Sequence, residues 1–261
     1  MLKYLLILGG YFYLSYFCSV LFNYYTMIEV NNVTFGYNKY HNVLRDFSLQ
    51  FKKGGVYGLL GKNGTGKSTL LYLIMGLLRP KQGEVRVEGA LSAQRRPEVL
   101  QEMFIVPEEY DLPRISLRKY VESLKPFYPR FSDELLARCL KGFDMPLDID
   151  LGALSMGQKK KVYMCIALAT DTDYLLMDEP TNGLDILSKS QFRKVVIEGM
   201  REDKTIIIST HQVHDVERML DHVCIIETNK VLLDAPLVEK DEPIDLERLF
   251  IETLTNKKVE D

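Results

Sequence analysis

The residues with the clearest chemistry are nine in a row: Gly61, Lys62, Asn63, Gly64, Thr65, Gly66, Lys67, Ser68 and Thr69. They satisfy the pattern GxxxxGK[ST]. Its glycines let backbone N–H groups turn inward around phosphate oxygens. Lys67 supplies a positive point charge to the β and γ phosphates, and Ser68 a hydroxyl for Mg²⁺. A ligand-free glycine turn would account for the glycines, but not for Lys67-Ser68 at this spacing.

A second centre lies in the run YLLMDEP, where four apolar or aromatic residues precede Asp178 and Glu179. Adjacent residues on a strand point to opposite sides. At a strand's end the chain turns, and the two acids can then serve separate tasks. Asp178 can hold Mg²⁺, directly or through water, and Glu179 can polarise an attacking water as general base. An acid pair after a strand is a weak signal alone. It is a strong one downstream of a phosphate loop.

These groups need elements to position them. GVYGLLG is a compact apolar strand running into the glycine loop, and Lys67 to Gly76 then reads as a helix. YLLMDEP and TIIIST are continuous apolar runs alternating with helices expected at 157–169 and 188–199. That alternation indicates a parallel sheet covered on both faces, where ligands bind beyond the carboxyl ends of the strands. IEVNNVTF and VLRDFSLQF alternate more loosely, as half-exposed antiparallel strands do. GEVRVEG and MFIVPE add strands, and HVCIIET with KVLLDAP forms a final pair leading to the helix DLERLFIETL. Between 116 and 151 the pattern is helical, with Ser116 and Ser132 where N-caps belong and Asp133 and Glu134 suited to a first turn.

The chain has 261 residues and a net charge of -3. That size fits one large domain with a subdomain, and the charge gives no broad basic face for nucleic acid. The densest basic spot, Lys159 to Lys161, reads as a solvated helix face. The four cysteines, Cys18, Cys139, Cys165 and Cys224, form no CxxC pair. Their spacing therefore argues against a metal site or a disulfide framework and fits a reducing compartment. Residues 4–28 carry no charge until Glu29, long enough to span a bilayer. A signal peptide would export the rest away from ATP. A membrane anchor and an upstream misassigned start are the other readings. MIEVNNVTFGY from Met27 reads as the natural beginning of the domain, which favours the misassigned start.

Leu154-Ser155-Met156-Gly157-Gln158 resembles the LSGGQ signature of the ATP-binding cassette (ABC) family, and it precedes a helix and then the carboxylate strand. The resemblance covers nearly all of 27–255. It implies an α/β P-loop NTPase fold: a mostly parallel core sheet, an antiparallel β subdomain and a small helical subdomain at 111–151. Residues 1–26 would be an apolar extension and 256–261 a charged tail. It implies ATP and Mg²⁺ as cofactors, with Tyr37 stacking on adenine (Tyr40 being a weaker candidate and a core tyrosine the competing reading). Glu108 would stand at the Q-loop position beside Mg²⁺, with Ser68 and Asp178. Asn182-Gly183-Leu184-Asp185 resembles the D-loop. His211 resembles the switch histidine that senses the γ-phosphate, making Glu179, His211 and Lys67 the catalytic set.

In this family two cassettes face head to tail, so Ser155, Gly157, Gln158 and Asp185 would reach the ATP of the opposite subunit. Met156 and Glu108 depart from the usual glycine and glutamine. Glu108 and Leu154 lie too close in sequence to hold the coiled coil of chromosome-maintenance cassettes, and the single phosphate loop differs from the paired cassettes of translation factors. The stretch FYPRFSDELLARCLKGFDMPLDIDLGALSMGQKKKV looks most like ATPase subunits of bacterial ABC-2-type exporters. That likeness implies separate transmembrane permease subunits, a second cassette, no nucleic acid, and a peripheral place on the cytoplasmic face of the membrane. A soluble regulatory or nucleic-acid-associated ATPase is the alternative.

Overall fold

A computed structural model describes residues 26–237 and 245–256. The apolar N-terminal segment and the charged tail therefore fall outside the described residues.

The strands with loose alternation build one sheet. β1 (Thr26–Phe35) pairs antiparallel with β2 (Leu44–Lys52) and with β4 (Gln82–Val87), and β5 (Ala90–Leu91) extends it, in the order β2-β1-β4-β5. β2 buries every second residue over most of its length, the pattern of a sheet with one face on the core. The continuous apolar runs build the other sheet. Its order is β10-β9-β3-β8-β7-β6, from β3 (Gly55–Leu60), β6 (Met103–Val106), β7 (Tyr174–Asp178), β8 (Thr205–Thr210), β9 (His222–Glu227) and β10 (Lys230–Pro236). All neighbours are parallel except β10, which runs antiparallel to β9. GEVRVEG and MFIVPE, adjacent in sequence, thus go to different sheets.

Helix α1 (Lys67–Ile74) lies between the two sheets. Leu70, Leu71, Leu73 and Ile74 join one core with Phe47 and Phe51 of β2 and with Tyr174, Leu176 and Ile207 of β7 and β8. Six of its eight residues are buried and its last five are apolar or aromatic, as suits a helix enclosed over most of its surface. After the short α2 (Pro97–Leu100), the opposite face of the large sheet is covered by four helices. They are α3 (Leu117–Leu124), α4 (Asp133–Gly142), α5 (Met156–Ala169) and α6 (Ile186–Glu198). Helix α7 (Leu246–Asn256) completes the described elements.

The expected caps form. Ser116 accepts from Lys119 N and Ser132 from Leu135 N. The segment between β6 and α5 also closes on itself, because Leu117 N donates to Ile149 O at 2.8 Å and Leu151 N to Ile115 O at 3.0 Å. Among the described residues, no helix is long and apolar enough to cross a membrane.

Lys204, at the entrance to β8, is completely buried, and its ammonium donates to Leu168 O at 3.3 Å. Burial pulls its pKa down to about 8. The folded chain therefore releases this proton more readily than the unfolded chain, whose lysine titrates near 10.5. Between those values the unfolded state binds more protons, so stability rises with pH. The stability of the wild type relative to Lys204→Met is expected to increase from about pH 8 to about pH 10.5, checked by denaturant titration at several pH values. A pH-independent difference would show that Lys204 keeps its ordinary pKa.

Candidate active site at the carboxyl edge of the parallel sheet

The register of the parallel strands brings the chemistry to one edge. Leu60 pairs with Thr210, and Asp178 with Ser209. Gly61, Glu179 and His211 are the next residues along, and Glu108 lies two beyond the end of β6. One cleft of about 340 Å³ is lined there by Tyr37, Val43, Asn63, Gly64, Gly66, Lys67, Ser68, Thr69, Glu108, Glu179, Asn182 and His211. That volume lies in the range of small-ligand and cofactor sites.

The glycine loop needs its glycines. Gly66 has φ +100°, which L side chains rarely adopt, and it stands at the N-cap of α1. A Cβ on Gly61 would come within 2.6 Å of Ile226 O and 2.8 Å of Thr65 Oγ1. Lys67 is buried, its Nζ donating to Gly61 O at 2.8 Å and Lys62 O at 3.1 Å and lying 3.6 Å from Glu179 Oε1. Burial lowers the pKa of Lys67, and the Glu179 carboxylate works against that shift.

Glu179 is held from three sides. Thr210 Oγ1 donates to its Oε2 at 3.0 Å, His211 Nδ1 lies 2.9 Å from its Oε1, and Lys67 approaches the same oxygen. Its backbone has φ 45°, uncommon for a residue with a side chain. This turn lets the adjacent acids diverge. Asp178 stays inside, accepting from Ser209 Oγ, with its Oδ2 buried and without a hydrogen-bond partner. A buried, unpaired carboxylate oxygen fits a hard cation such as Mg²⁺. Desolvation raises the pKa of Asp178, while the hydroxyls of Ser209 and Ser68 pull it back.

Tyr37 is no core residue. Its ring is largely exposed at the cleft, stands edge-on to Phe35 and reaches Thr69 Oγ1 through its hydroxyl at 3.2 Å. Tyr40 is 98% exposed and does not line the cleft. Glu108 accepts from Asn182 Nδ2 at 3.0 Å.

Ser155, Gly157, Gln158 and Asp185 do not line this cleft. Ser155 caps α5 in a reciprocal capping box with Gln158, and Asp185 caps α6 by accepting from Ser188 N.

The lysine run requires a correction. It reads as solvated, yet Lys160 is only 9% exposed, and its Nζ donates to the backbone oxygens of Glu179 at 3.0 Å and Asn182 at 2.8 Å. The cause is the placement of α5, which is buried from Val162 to Ala169 apart from Tyr163 and directs Lys160 at the carbonyls of Glu179 and Asn182 beyond β7. Burial lowers its pKa, and Glu108, Glu179 and Asp178 oppose that. The apolar run following the lysines was the available signal, since a lysine on such a helix needs partners. Ser209 and Thr210 also join the site, and in the sequence the polar end of TIIIST is their only trace.

Two outcomes follow from this geometry. Lys160→Met is expected to lower turnover by about 10²-fold through misplacement of Glu179, with ATP affinity retained and Lys160→Arg recovering part of the rate. Steady-state phosphate release beside nucleotide binding checks this, and an unchanged rate would sink it. Asp178 is a candidate Mg²⁺ ligand whose pKa burial raises, so its protonation would compete with the cation at higher pH than in an exposed carboxylate. Mg²⁺-dependent nucleotide binding should therefore weaken as pH falls, and Asp178→Asn should remove that slope in a titration across pH.

The ABC transporter family pattern matches residues 44–182. The chain is 34% identical over 223 residues to the ABC transporter ATP-binding protein NatA of Bacillus subtilis (strain 168), covering 81% of this chain and 90% of NatA. It is 32% identical over 226 residues to the Nod factor export ATP-binding protein I of Burkholderia orbicola (strain AU 1054), covering 80% of this chain and 71% of that protein. A relative named for import matches at similar identity. A solved ATP binding subunit of an ABC transporter superposes with a TM-score of 0.76 at 25% identity, covering 88% of this chain and all of that one. The phosphate loop, the buried carboxylates at the sheet edge and these matches lead to one conclusion: the chain belongs to the ABC transporter ATP-binding family, whose members hydrolyse ATP to power transport.

Proposed function

We propose that this chain forms an ATP-dependent, head-to-tail dimer whose opening and closing drives a separate membrane permease, in the direction of export. The observation that carries the dimer is the split of the site. The signature helix presents its N-terminus away from the cleft of its own chain, with Met156 75% exposed and open space where a Cβ on Gly157 would stand. A helix N-terminus is a ready anion site, and a second cassette would supply its phosphates. Ser155, Gly157, Gln158 and Asp185 then act across the interface.

In this reading the phosphates lie over residues 61–69, with Lys67 released from Gly61 O and Lys62 O to meet them. Tyr37 stacks on the base. Ser68 and Asp178 would hold Mg²⁺, with Glu108 as a further candidate ligand. Glu179 takes the proton of the attacking water, with His211 beside it sensing the γ-phosphate. The helical segment at 111–151 exposes the apolar side chains of Phe127 and Leu147, which a permease helix would cover. Such a contact would hold the ATPase at the cytoplasmic face of the membrane. Export is favoured by the likeness to the Nod factor export relative.

Glu179→Gln is expected to lower turnover by about 10²–10⁴-fold, the usual worth of a general base, and to accumulate a dimer on sizing with ATP and Mg²⁺. A variant that stays monomeric alone but pairs with another cassette would replace the homodimer by a heterodimer. Gentle solubilisation of the native host's membranes with ATP tests the partner. Stoichiometric recovery of a multi-spanning protein supports the permease, and recovery with ribosomes or DNA-bound proteins refutes it.

A further inference from the structure

The hairpin of β9 and β10 carries a group of side chains that ATP hydrolysis does not use. His222 and Cys224 are two residues apart on β9, so they share one face of the sheet. Asp234 of β10 is the direct cross-strand partner of Cys224, so it lies on that face too. Their ligand atoms converge. His222 Nε2 lies 2.6 Å from Asp234 Oδ1, Cys224 Sγ lies 3.4 Å from the same oxygen, and all three donors fall within 4.8 Å of one another.

We infer that His222, Cys224 and Asp234 form a binding site for a divalent cation of the zinc class, which ties the edge strand β10 to β9. The donor set decides the class. One imidazole nitrogen, one sulfur and one carboxylate oxygen match zinc and its borderline-soft neighbours, whereas Mg²⁺ and Ca²⁺ take oxygen ligands. In a tetrahedral site with bonds of about 2.0–2.3 Å, ligand atoms stand roughly 3.5 Å apart. The sulfur–oxygen distance already meets this. The imidazole and the carboxylate need to separate by about 1 Å, and both side chains are part-exposed. Water would take the fourth position.

The surroundings are consistent with a built site. Cys224 is fully buried, and its strand neighbour Leu59 belongs to the same core. The ring of Tyr57 lies against the imidazole of His222, with centroids 4.9 Å apart. Cys224 Sγ donates its proton to Asp234 Oδ1, and a bound cation would displace that proton. Binding is therefore expected to release that proton.

The test uses the full chain without an affinity tag, stripped by chelator and titrated with Co²⁺. The expected result is a sulfur-to-cobalt charge-transfer band that saturates at one equivalent and is displaced by Zn²⁺. The band should vanish in Cys224→Ser and persist in Cys18→Ser, Cys139→Ser and Cys165→Ser. His222→Gln and Asp234→Asn should each weaken Co²⁺ binding by about 10-fold or more. His222→Gln changes a part-exposed side chain and serves if Cys224→Ser does not fold. A cation held by Ser68 and Asp178 has no sulfur ligand and gives no such band. Absence of the band in the wild type, its survival in Cys224→Ser, or undiminished binding in His222→Gln would each overturn the site.

Discussion

The parallel register of β3, β8 and β7 is the constraint on which the site depends. Leu60 and Thr210 end their strands side by side, and Asp178 ends its strand one residue short of them, beside Ser209. The lysine after β3, the acids after β7 and the histidine after β8 come from distant parts of the chain, yet all emerge at one edge. A shift of one residue in a parallel strand would turn its side chains to the opposite face. The acid pair would then exchange roles, with Glu179 inside and Asp178 facing the cleft.

Burial of charge follows from that arrangement. Lys67, Asp178, Glu179 and Lys160 are all buried within a small volume. Isolated ions there would be costly, and paired ones are tolerable. Here each is paired or hydrogen-bonded: Lys67 with Glu179 and two loop carbonyls, Glu179 with Thr210 and His211, Asp178 with Ser209, Lys160 with two carbonyls. Lys67 rests on its own loop carbonyls, and in the proposed reaction the incoming phosphates would compete for it.

Lys160 joins parts that would otherwise be separate. It belongs to α5, whose first turn is the signature, and it holds the carbonyls of Glu179 and Asn182. Asn182 in turn donates to Glu108. A physical chain therefore runs from the signature helix through Asn182 to Glu108 in the segment beyond β6. A movement of α5 would be felt at the backbone of Glu179, whose φ of 45° is held by its neighbours.

The local sequence determined whatever depends on near neighbours. The spacing of Gly61 to Thr69 specified a phosphate loop, because backbone turns and a helix start are set within a few residues. The apolar runs specified parallel strands, and Ser116, Ser132 and the alternation of β2 specified caps and a half-covered sheet. The tertiary structure decided whatever depends on distant packing. It sent GEVRVEG and MFIVPE to different sheets. It took Lys160 out of solvent, since helical neighbours say nothing of carbonyls beyond another strand. It also gathered His222, Cys224 and Asp234, which cysteine spacing alone argued against, because cross-strand register joins residues that no linear motif connects.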